Sequence, residues 1–446
     1  MELSSDIPSF ERRPDEQDIG VTDLYQDLKF RTFELTLEYL DMKNLDAEDI
    51  ARGVLQDEVA QALSVALMGE GVALNSTDRS RLIREVEYEI TGLGPIEPLL
   101  EDRSVNDIIV NGPNKVYVER DGVLEKVAIR FRNDAHLMNI IQRIVSPIGR
   151  RVDEANPYVD ARLPDGSRVN VVIPPIAIDG PMVSIRKFKK IPITVDQLVR
   201  THSLNQDMLD FLGKAVASRL NILIVGGTGS GKTTLMNILS GYIPDKERLV
   251  TIEDAAELQL RQHHVVRLET RPPISGDNSK EVTARDLVKN ALRMRPDRII
   301  LGEVRGAEAV DMLQAMSTGH DGSMATLHAN TARDALSRLE MLLDFGGLRA
   351  EPKTLRRYVA ASIQLIVNVN RLTGGKRRVV SIMELTGVEA DHYSMNELFR
   401  FAEDPPLSGQ GVFESVSRRP YYQHRLTTSP VLVKDDMGIA GTKKGR

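Results

Sequence analysis

The stretch that most limits what this chain can fold into is residues 226–234, GGTGSGKTT. It fits the pattern G-x-x-x-x-G-K-[ST], in which glycines let the backbone close around phosphate groups and the following helix aims its N–H groups at them. The apolar run 221–225 before it predicts a buried strand, and residues 235–239 after it predict a helix. Strand, loop and helix in this order predict a nucleoside triphosphate site, with an ordinary glycine-rich turn as the alternative.

The loop supplies the candidate nucleotide ligands. Lys232 is expected to reach the β- and γ-phosphates, and the Thr233 hydroxyl is expected to hold Mg²⁺. The loop amides would bind the remaining phosphate oxygens. The candidate nucleotide-binding residues are Gly227, Thr228, Gly229, Ser230, Gly231, Lys232, Thr233 and Thr234.

Composition excludes several other kinds of protein. The chain has 446 residues, which is long for one hydrophobic core, so several domains are expected. Its net charge of −6 gives no bulk support for nucleic-acid binding. The absence of cysteine excludes disulfides, thiol catalysis and cysteine–zinc sites. No apolar run approaches the length of about 18 residues that a membrane span needs, and the polar first 20 residues do not resemble a secretory signal.

The hydrophobic pattern divides the chain into folded segments with polar ends. Apolar residues at helical spacing are followed by short strand-like runs, and then by alternating strands and helices up to about residue 370. The predicted parts are a disordered tail (1–20), a three-helix segment (21–90), an α+β domain (91–188), a linker (189–195), an α/β domain with a parallel sheet (196–430) and a flexible tail (431–446).

A pair of carboxylates follows the strand predicted at residues 249–252. Side chains at the carboxyl ends of parallel strands lie at the ligand-binding crevice of α/β sheets. Glu253 or Asp254 would therefore hold Mg²⁺ together with Thr233, or position the attacking water. The alternative is an acidic pair that caps a helix beginning at Ala255.

A second strand, residues 298–303, ends in Glu303. It resembles a Walker B strand in which Gly302 occupies the place of the usual aspartate. Glu303 is therefore predicted to polarise the water that attacks the γ-phosphate. Arg305, two residues further, either senses the γ-phosphate or pairs with an acid.

A histidine marks the end of a third strand. Residues 324–327 predict this strand, and His328 follows it directly. The imidazole there is suited to hydrogen-bond a phosphate or to carry a conformational signal, and a structural histidine is the alternative. His320 lies in a predicted turn and is the weaker candidate.

These motifs, in this order, resemble those of the type II/type IV secretion ATPase superfamily. That family carries a Walker A loop, an Asp box, an atypical Walker B strand ending in Gly-Glu, and a His box. They correspond here to residues 226–234, 251–254, 300–303 and 319–330. Residues 92–100 and 166–170 also resemble the CpaF-like branch, the motors of Tad (Flp) pili. The resemblance covers about residues 90–430.

The resemblance implies a RecA-like P-loop ATPase domain preceded by a PAS-like α+β domain, with a helical bundle at the N-terminus. It implies ATP and Mg²⁺ as ligands and a homohexamer in the cytoplasm. That ring would be peripheral to the inner membrane, docked on a Tad-type platform protein, and would move pilin indirectly. Arginines of the N-terminal domain reach the nucleotide in this family. Arg168 and Arg186 match them best, Arg162 is weaker, and ordinary surface arginines are the alternative.

Departures from the family pattern narrow the branch. Many type II secretion ATPases contain a four-cysteine zinc module, which this chain lacks, so the Tad or VirB11-like branches are favoured. The helical segment 21–90 fits a Tad motor better, and a VirB11-like type IV secretion ATPase that moves protein or DNA is the alternative. A nucleic-acid motor, a nucleotide-gated scaffold and a small-molecule kinase are the other classes considered. No nucleic-acid partner is expected.

Overall fold

The computed structural model describes residues 19–43, 54–70, 74–120, 122–188, 194–271, 281–417 and 419–426. It divides into two compact units, Met1–Phe188 and Lys189–Arg446. The first helix begins at Ile19, which is two residues before the predicted start of the helical segment and inside the stretch predicted as a tail. The rest of that tail, residues 189–193 of the predicted linker and the tail 431–446 lie outside the described residues.

Three helices open the first unit. They are α1 (Ile19–Lys43), α2 (Leu55–Glu70) and α3 (Ser76–Thr91). Apolar residues spaced three and four apart place one face of each helix in a shared core, because such residues lie on the same side of a helix. This core contains Leu28, Leu40, Leu55, Val59, Leu63, Ala66, Leu82 and Val86.

The rest of the first unit is an antiparallel sheet with one long helix. The order is α4 (Glu97–Glu101), β1 (Val105–Asn111), β2 (Val116–Arg120), β3 (Val123–Val127), α5 (Asp134–Val145), β4 (Tyr158–Arg162), β5 (Arg168–Val172) and β6 (Met182–Arg186). The strands lie in the order β3-β2-β1-β6-β5-β4. Asn133 caps α5 by accepting a hydrogen bond from the backbone N–H of His136, and Leu137, Ile140, Ile141 and Ile144 enter the core shared with the strands.

The second unit is built on a sheet of nine described strands. Its elements are α6 (Val195–Arg200), α7 (Gln206–Ala217), β7 (Ile222–Val225), α8 (Lys232–Ser240), β8 (Leu249–Glu253), β9 (Val265–Glu269), α9 (Ala284–Ala291), β10 (Arg298–Val304), α10 (Glu308–Ser317), β11 (Met324–Leu327), α11 (Ala332–Phe345), α12 (Pro352–Ser362), β12 (Leu365–Arg371), β13 (Arg377–Glu389), β14 (His392–Glu403), β15 (Gly411–Ser415) and α13 (Gln423–Leu426). Short 3₁₀ turns span Gly94–Ile96, Ser146–Ile148 and Thr373–Gly375.

The strand order of this sheet is β15-β14-β13-β12-β7-β11-β10-β8-β9. The six strands from β12 to β9 are parallel, and β13, β14 and β15 extend the sheet in antiparallel fashion. Alternate residues of β7 enter two different cores, because successive strand residues point to opposite faces. The phosphate-loop strand is therefore buried on both faces, and all four of its residues are buried.

The predicted alternation of strands and helices is wrong at two places. The helices α11 and α12 follow one another, and β8 and β9 pair in parallel although residues 254–264 between them form no helix. A side chain explains the second case: Glu253 Oε1 accepts hydrogen bonds from the backbone N–H groups of Glu257 and Leu258, both at 2.9 Å. Asn237 Oδ1 takes the next N–H, that of Gln259. The helix considered at Ala255 does not form.

Two buried polar groups tie the strands at the opposite end from the loop. Asn221, fully buried before β7, donates to the carbonyls of Met316 and Ser362 and accepts from the N–H groups of Gly322 and Ser323. Its side chain thus satisfies its hydrogen-bonding capacity and holds the start of β7 in place.

The second group is an ion pair. Arg298 has no exposed surface, and its guanidinium binds Glu247 through Nε at 2.6 Å and Nη2 at 3.0 Å. Arg219 also lies 3.3 Å from this carboxylate.

None of the helices in the described ranges is long and apolar enough to cross a bilayer.

Candidate nucleotide site

Four neighbouring strands bring the sequence motifs to one edge of the sheet. The strands β7, β11, β10 and β8 lie side by side in this order and are parallel, so their carboxyl ends share that edge. The phosphate loop follows β7, His328 follows β11, Glu303 lies near the end of β10, and Glu253 ends β8. Residues from four separate motifs therefore lie at one edge of the sheet, where the strand-end argument predicts a ligand site.

The loop geometry requires glycine at three positions. A Cβ on Gly226 would lie 2.1 Å from the carbonyl oxygen of Val369. Gly229 and Gly231 have φ angles of 68° and 104°, a region that other residues rarely adopt. Helix α8 begins at Lys232 directly after the loop, so the N–H groups of its first turn point towards the loop and are available to an anion.

Lys232 lies inside the loop. Its Nζ donates to the carbonyls of Gly226 at 3.0 Å and Gly227 at 2.9 Å, and it lies 3.5 Å from His328 Nε2. Burial lowers the pKa of Lys232, whereas the charge of Glu303 acts in the opposite direction. The lysine is thus held against the loop, 3.5 Å from the imidazole that lies beside Glu303.

Glu303 has a nitrogen-bearing side chain beside each carboxylate oxygen. Its Oε2 accepts a hydrogen bond from Arg305 at 2.6 Å, and its Oε1 lies 2.8 Å from His328 Nε2. Partial burial raises the pKa of Glu303, but the hydrogen bond and charge of Arg305, with His328 and Lys232, outweigh it and hold the pKa below its usual value. Burial, reinforced by Lys232, lowers the pKa of His328. Glu303 is therefore an anion and His328 is neutral at pH 7.

An irregularity in the sheet accompanies this arrangement. The pairing of β10 with β11 shifts register between Leu301 and Val304, around Glu303. Within this bulge Thr326 Oγ1 donates to the carbonyl of Gly302 at 2.6 Å. Bulges change the direction of local side chains, so the irregularity contributes to the orientation of Glu303 at the crevice.

Arg305 pairs with acids, which is one of its two predicted roles. It binds Glu303, as described, and its Nη1 lies 3.2 Å from Asp254 Oδ2. Its side chain is 60% exposed. Arg305 therefore connects the end of β10 with the residue that follows β8.

Glu253 occupies the space that an aspartate side chain at residue 302 would need. A Cβ on Gly302 would lie 2.8 Å from Glu253 Cγ. Glu253 is 5% exposed; its Oε1 binds the two N–H groups named above, while its Oε2 has no hydrogen-bond partner among the described residues. Burial raises the pKa of Glu253, against the effect of those hydrogen bonds. Glycine at residue 302 therefore leaves the space on the neighbouring strand that the side chain of Glu253, at the end of β8, fills.

One residue that contacts the loop was not predicted from the sequence. Arg377, the first residue of β13, donates from Nε to the carbonyl of Gly229 at 2.9 Å. Its Cδ also lies 3.5 Å from the position of a Cβ on Gly231. Arg377 is 148 positions from Gly229, and no motif surrounds it, so the sequence carries no signal for this contact.

A comparison with protein families fits this geometry. The family model described as "Type II/IV secretion system protein" matches residues 89–376, which is more than half of the chain. The chain belongs to the type II/IV secretion system protein family. The match begins near the end of α3, so α1 and α2 lie outside it.

Individual relatives come from several secretion and transfer systems. A putative conjugal transfer protein of Mycobacterium tuberculosis is 37% identical over 322 residues, which are 71% of this chain and 91% of the relative. The type IV secretion system protein VirB11 of Bartonella quintana is 33% identical and covers 65% of this chain and 91% of its own. Among solved structures, the VirB11 ATPase of Brucella suis is 29% identical, covers 67% of this chain and 97% of its own, and has a TM-score of 0.36.

The arginines assigned by the family resemblance form a row in the first unit. Arg168 on β5 lies opposite Arg162 on β4 and opposite Arg186 on β6. Arg186 also donates from Nε to Asp107 Oδ1 at 3.1 Å and is 63% exposed. The three side chains therefore share one line across the sheet, and the contact of Arg168 and Arg186 with a nucleotide stays a prediction.

The residues predicted to hold Mg²⁺ suit a cation that is shared with phosphate. Within the ranges that the structure describes, no group of three or more His, Asp or Glu side chains is arranged as a metal site. Mg²⁺ at a phosphate, however, uses only one or two protein oxygens. The partly buried Thr233 in the first turn of α8 and the unpartnered Oε2 of Glu253 are oxygens of this kind.

Proposed function

We propose that this protein is an ATP-hydrolysing motor that powers the assembly of Tad-type IV pili, and their retraction where the system retracts them. The observation that supports hydrolysis is the contact series Lys232–His328–Glu303, with separations of 3.5 Å and 2.8 Å, beside the phosphate loop. A site for binding alone does not need an anionic carboxylate held this close to the lysine that contacts phosphate.

The chemistry follows from the protonation states. The loop amides and Lys232 would bind the β- and γ-phosphates. Thr233 and Glu253 would hold Mg²⁺, which would supply positive charge against the phosphates. Glu303 is already ionised at neutral pH and has a lowered pKa, so it orients the water through a hydrogen bond more than it removes a proton. His328 reports the state of Glu303 to β11, because its ring lies against that carboxylate.

The oligomer and the partners belong to the same proposal. The working unit is a homohexamer, peripheral to the inner membrane, that acts on a Tad-type platform protein and thereby on pilin. Arg168 and Arg186 neutralise charge on the transferred phosphate in this ring. The support for these roles is the family resemblance and the alignment of both arginines on adjacent strands.

The helical segment supports the Tad branch. The helices α1 and α2 have a core of their own with α3, and the family match starts only at residue 89. The second candidate is a VirB11-like type IV secretion ATPase that moves protein or DNA, supported by the 33% identity to VirB11 of Bartonella quintana. Turnover that is stimulated by a Tad platform protein favours the first candidate, and turnover that is stimulated by DNA or by a secretion substrate favours the second.

The test of hydrolysis is the variant Glu303→Gln. It should bind ATP as the wild type does and lose turnover by about 100-fold or more, because the neutral amide no longer orients water as an anion does. Lys232→Ala should lose both binding and turnover. Glu340→Gln is the matched control, because Glu340 on α11 pairs with Arg356 on α12 and belongs to none of the motifs. This variant should retain both ATP binding and turnover. Wild-type turnover by Glu303→Gln would remove Glu303 from this role.

A further inference from the structure

The hairpin of β12 and β13 lies against the phosphate loop at two points. On β12, the carbonyl oxygen of Val369 would lie 2.1 Å from a Cβ on Gly226, the first residue of the loop. On β13, Arg377 donates from Nε to the carbonyl of Gly229 at 2.9 Å. Its Cδ lies 3.5 Å from the position of a Cβ on Gly231. The side chain of Arg377 therefore lies along the part of the loop that leads into α8.

The hydrogen bond from Arg377 sets the direction of one peptide group in the loop. The peptide bond between Gly229 and Ser230 is trans, and in a planar trans peptide the C=O and the following N–H point in opposite directions. Since the Gly229 carbonyl points towards β13, the N–H of Ser230 points away from it. That N–H reaches only the carbonyl of Gly227, at 3.4 Å, which is longer than the usual range of about 2.7–3.2 Å. It is therefore available to a stronger acceptor, such as a phosphate oxygen.

The other side chain that binds loop carbonyls cannot do this while it holds phosphate. Lys232 Nζ donates to the carbonyls of Gly226 and Gly227, at 3.0 Å and 2.9 Å. Under the proposed function Lys232 binds phosphate, so it leaves these carbonyls when the nucleotide arrives. The donor on β13 has no such second task, because it comes from outside the loop. Arg377 can therefore keep the Gly229 carbonyl in place before and after the nucleotide binds.

A second arginine on the same hairpin allows the hydrogen bond to be separated from the charge. Arg371 on β12 is the direct cross-strand partner of Arg377, and both residues are exposed. Cross-strand partners project from the same face of a sheet, and like charges placed directly opposite repel each other. Within the described ranges neither arginine is paired with a carboxylate, and Arg371 makes no hydrogen bond to the loop. Arg371 therefore carries the same charge as Arg377 without its contact.

We propose that Arg377 is a positioning residue for nucleotide binding, which holds the Gly229 carbonyl towards β13 so that the Ser230 N–H faces the phosphates. The inference rests on the proposed function, in which the loop binds ATP. Arg377 acts here through the shape of the loop, which serves substrate and transition state alike. An interaction of this uniform kind changes KM and leaves kcat unchanged.

The experiment compares Arg377→Met with Arg371→Met in the full chain. Arg377→Met keeps an apolar stem beside Gly231 but removes the donor and the charge, and Arg371→Met removes the same charge from the facing strand. Calorimetric titration with ADP gives Kd, and steady-state hydrolysis of Mg-ATP gives kcat and KM. Arg377→Met should raise both Kd and KM by about tenfold with kcat within about twofold, because the hydrogen bond comes from a charged donor. Arg371→Met should change each value by less than about twofold.

The remaining outcomes are distinct from one another. Unchanged Kd and KM in Arg377→Met overturn the inference and leave the proposed function intact. Equal losses of affinity in both variants also overturn it, since the charge of the hairpin and not the bond to Gly229 would be the cause. A lower kcat with unchanged KM would place Arg377 in the transition state instead. A wild type that binds ADP without hydrolysing ATP refutes the proposed function, and the ADP titrations alone then decide the inference. A wild type that binds no ADP overturns both. Far-ultraviolet circular dichroism checks that both variants, each at an exposed position, are folded.

Discussion

Replacing Gly302 with alanine tests why this Walker B strand lacks its usual aspartate. The added Cβ would lie 2.8 Å from Cγ, 3.3 Å from Cβ and 3.4 Å from Oε1 of Glu253. Glu253 cannot rotate away without cost, since its Oε1 is fixed by the N–H groups of Glu257 and Leu258. To make room for the added methyl group, either β8 and β10 separate locally or the hydrogen bonds from Glu257 and Leu258 to Glu253 lengthen.

The size of the effect follows from these contacts. Overpacking a closely packed position costs about 1–3 kcal/mol, and a weakened hydrogen bond to a charged group costs about 1.5–3 kcal/mol. We therefore expect Gly302→Ala to lower the free energy of unfolding of the second unit by about 2–3 kcal/mol, measured by urea denaturation followed by circular dichroism. Gly302→Asp, which restores the usual residue, should cost more because it is larger.

A double-mutant cycle isolates the cause. In a Glu253→Ala background the obstructing Cγ is absent, so Gly302→Ala should cost less than about 1 kcal/mol there. Gly241→Ala, placed at a helix end where the new Cβ would meet only the carbonyl of Ile238 at 3.1 Å, is the control for an added methyl group. An equal cost of Gly302→Ala in both backgrounds would refute the steric coupling with Glu253.

Two further stability predictions rest on buried charges. Burial raises the pKa of Glu253 above 4.5, so its stabilising contribution is complete below the unfolded pKa and is lost as pH rises through the folded value. The free energy of unfolding of the wild type should therefore fall relative to Glu253→Gln as pH rises above 4.5, in urea titrations from acidic to neutral pH; parallel curves would contradict this. Arg298→Met leaves the Glu247 carboxylate buried with Arg219 as its remaining ion-pair partner and should cost about 3 kcal/mol, whereas the double variant with Glu247→Met should recover most of it. Equal losses in the single and double variants would show that the ion pair is not the cause.

The parts of the site that were predictable are those with a local pattern. An apolar run followed by a polar residue predicts a parallel strand and its end, and this placed Glu303 and His328 on one edge of the sheet with the loop. The loop itself follows from its glycine spacing. The order of the strands, however, comes from packing among helices that lie far apart in the chain.

Contacts between distant residues escaped the sequence reading. Arg377 and Gly229 are 148 positions apart, and an arginine after a turn has no pattern that assigns it to a phosphate loop. The choice of Arg305 between phosphate and acid depends on Asp254, which follows β8 and lies 3.2 Å from Arg305 in the folded chain. The capping of residues 257 and 258 by Glu253 likewise needs the folded backbone, because a side chain on β8 there replaces the hydrogen bonds of a helix turn.

Short connections join β10, which carries Glu303, and β11, which His328 follows, to the next helices. Residues 305–307 alone separate β10 from α10, and residues 328–331 separate β11 from α11. The first joint is braced further, since Glu308 Oε1 accepts from the N–H groups of Arg305 and Gly306 at 2.6 Å and 2.8 Å. Connections that are this short and hydrogen-bonded restrict relative motion of the strand end and the helix that follows. Under the proposed function, a displacement of Glu303 when a phosphate leaves would therefore be transmitted directly to α10.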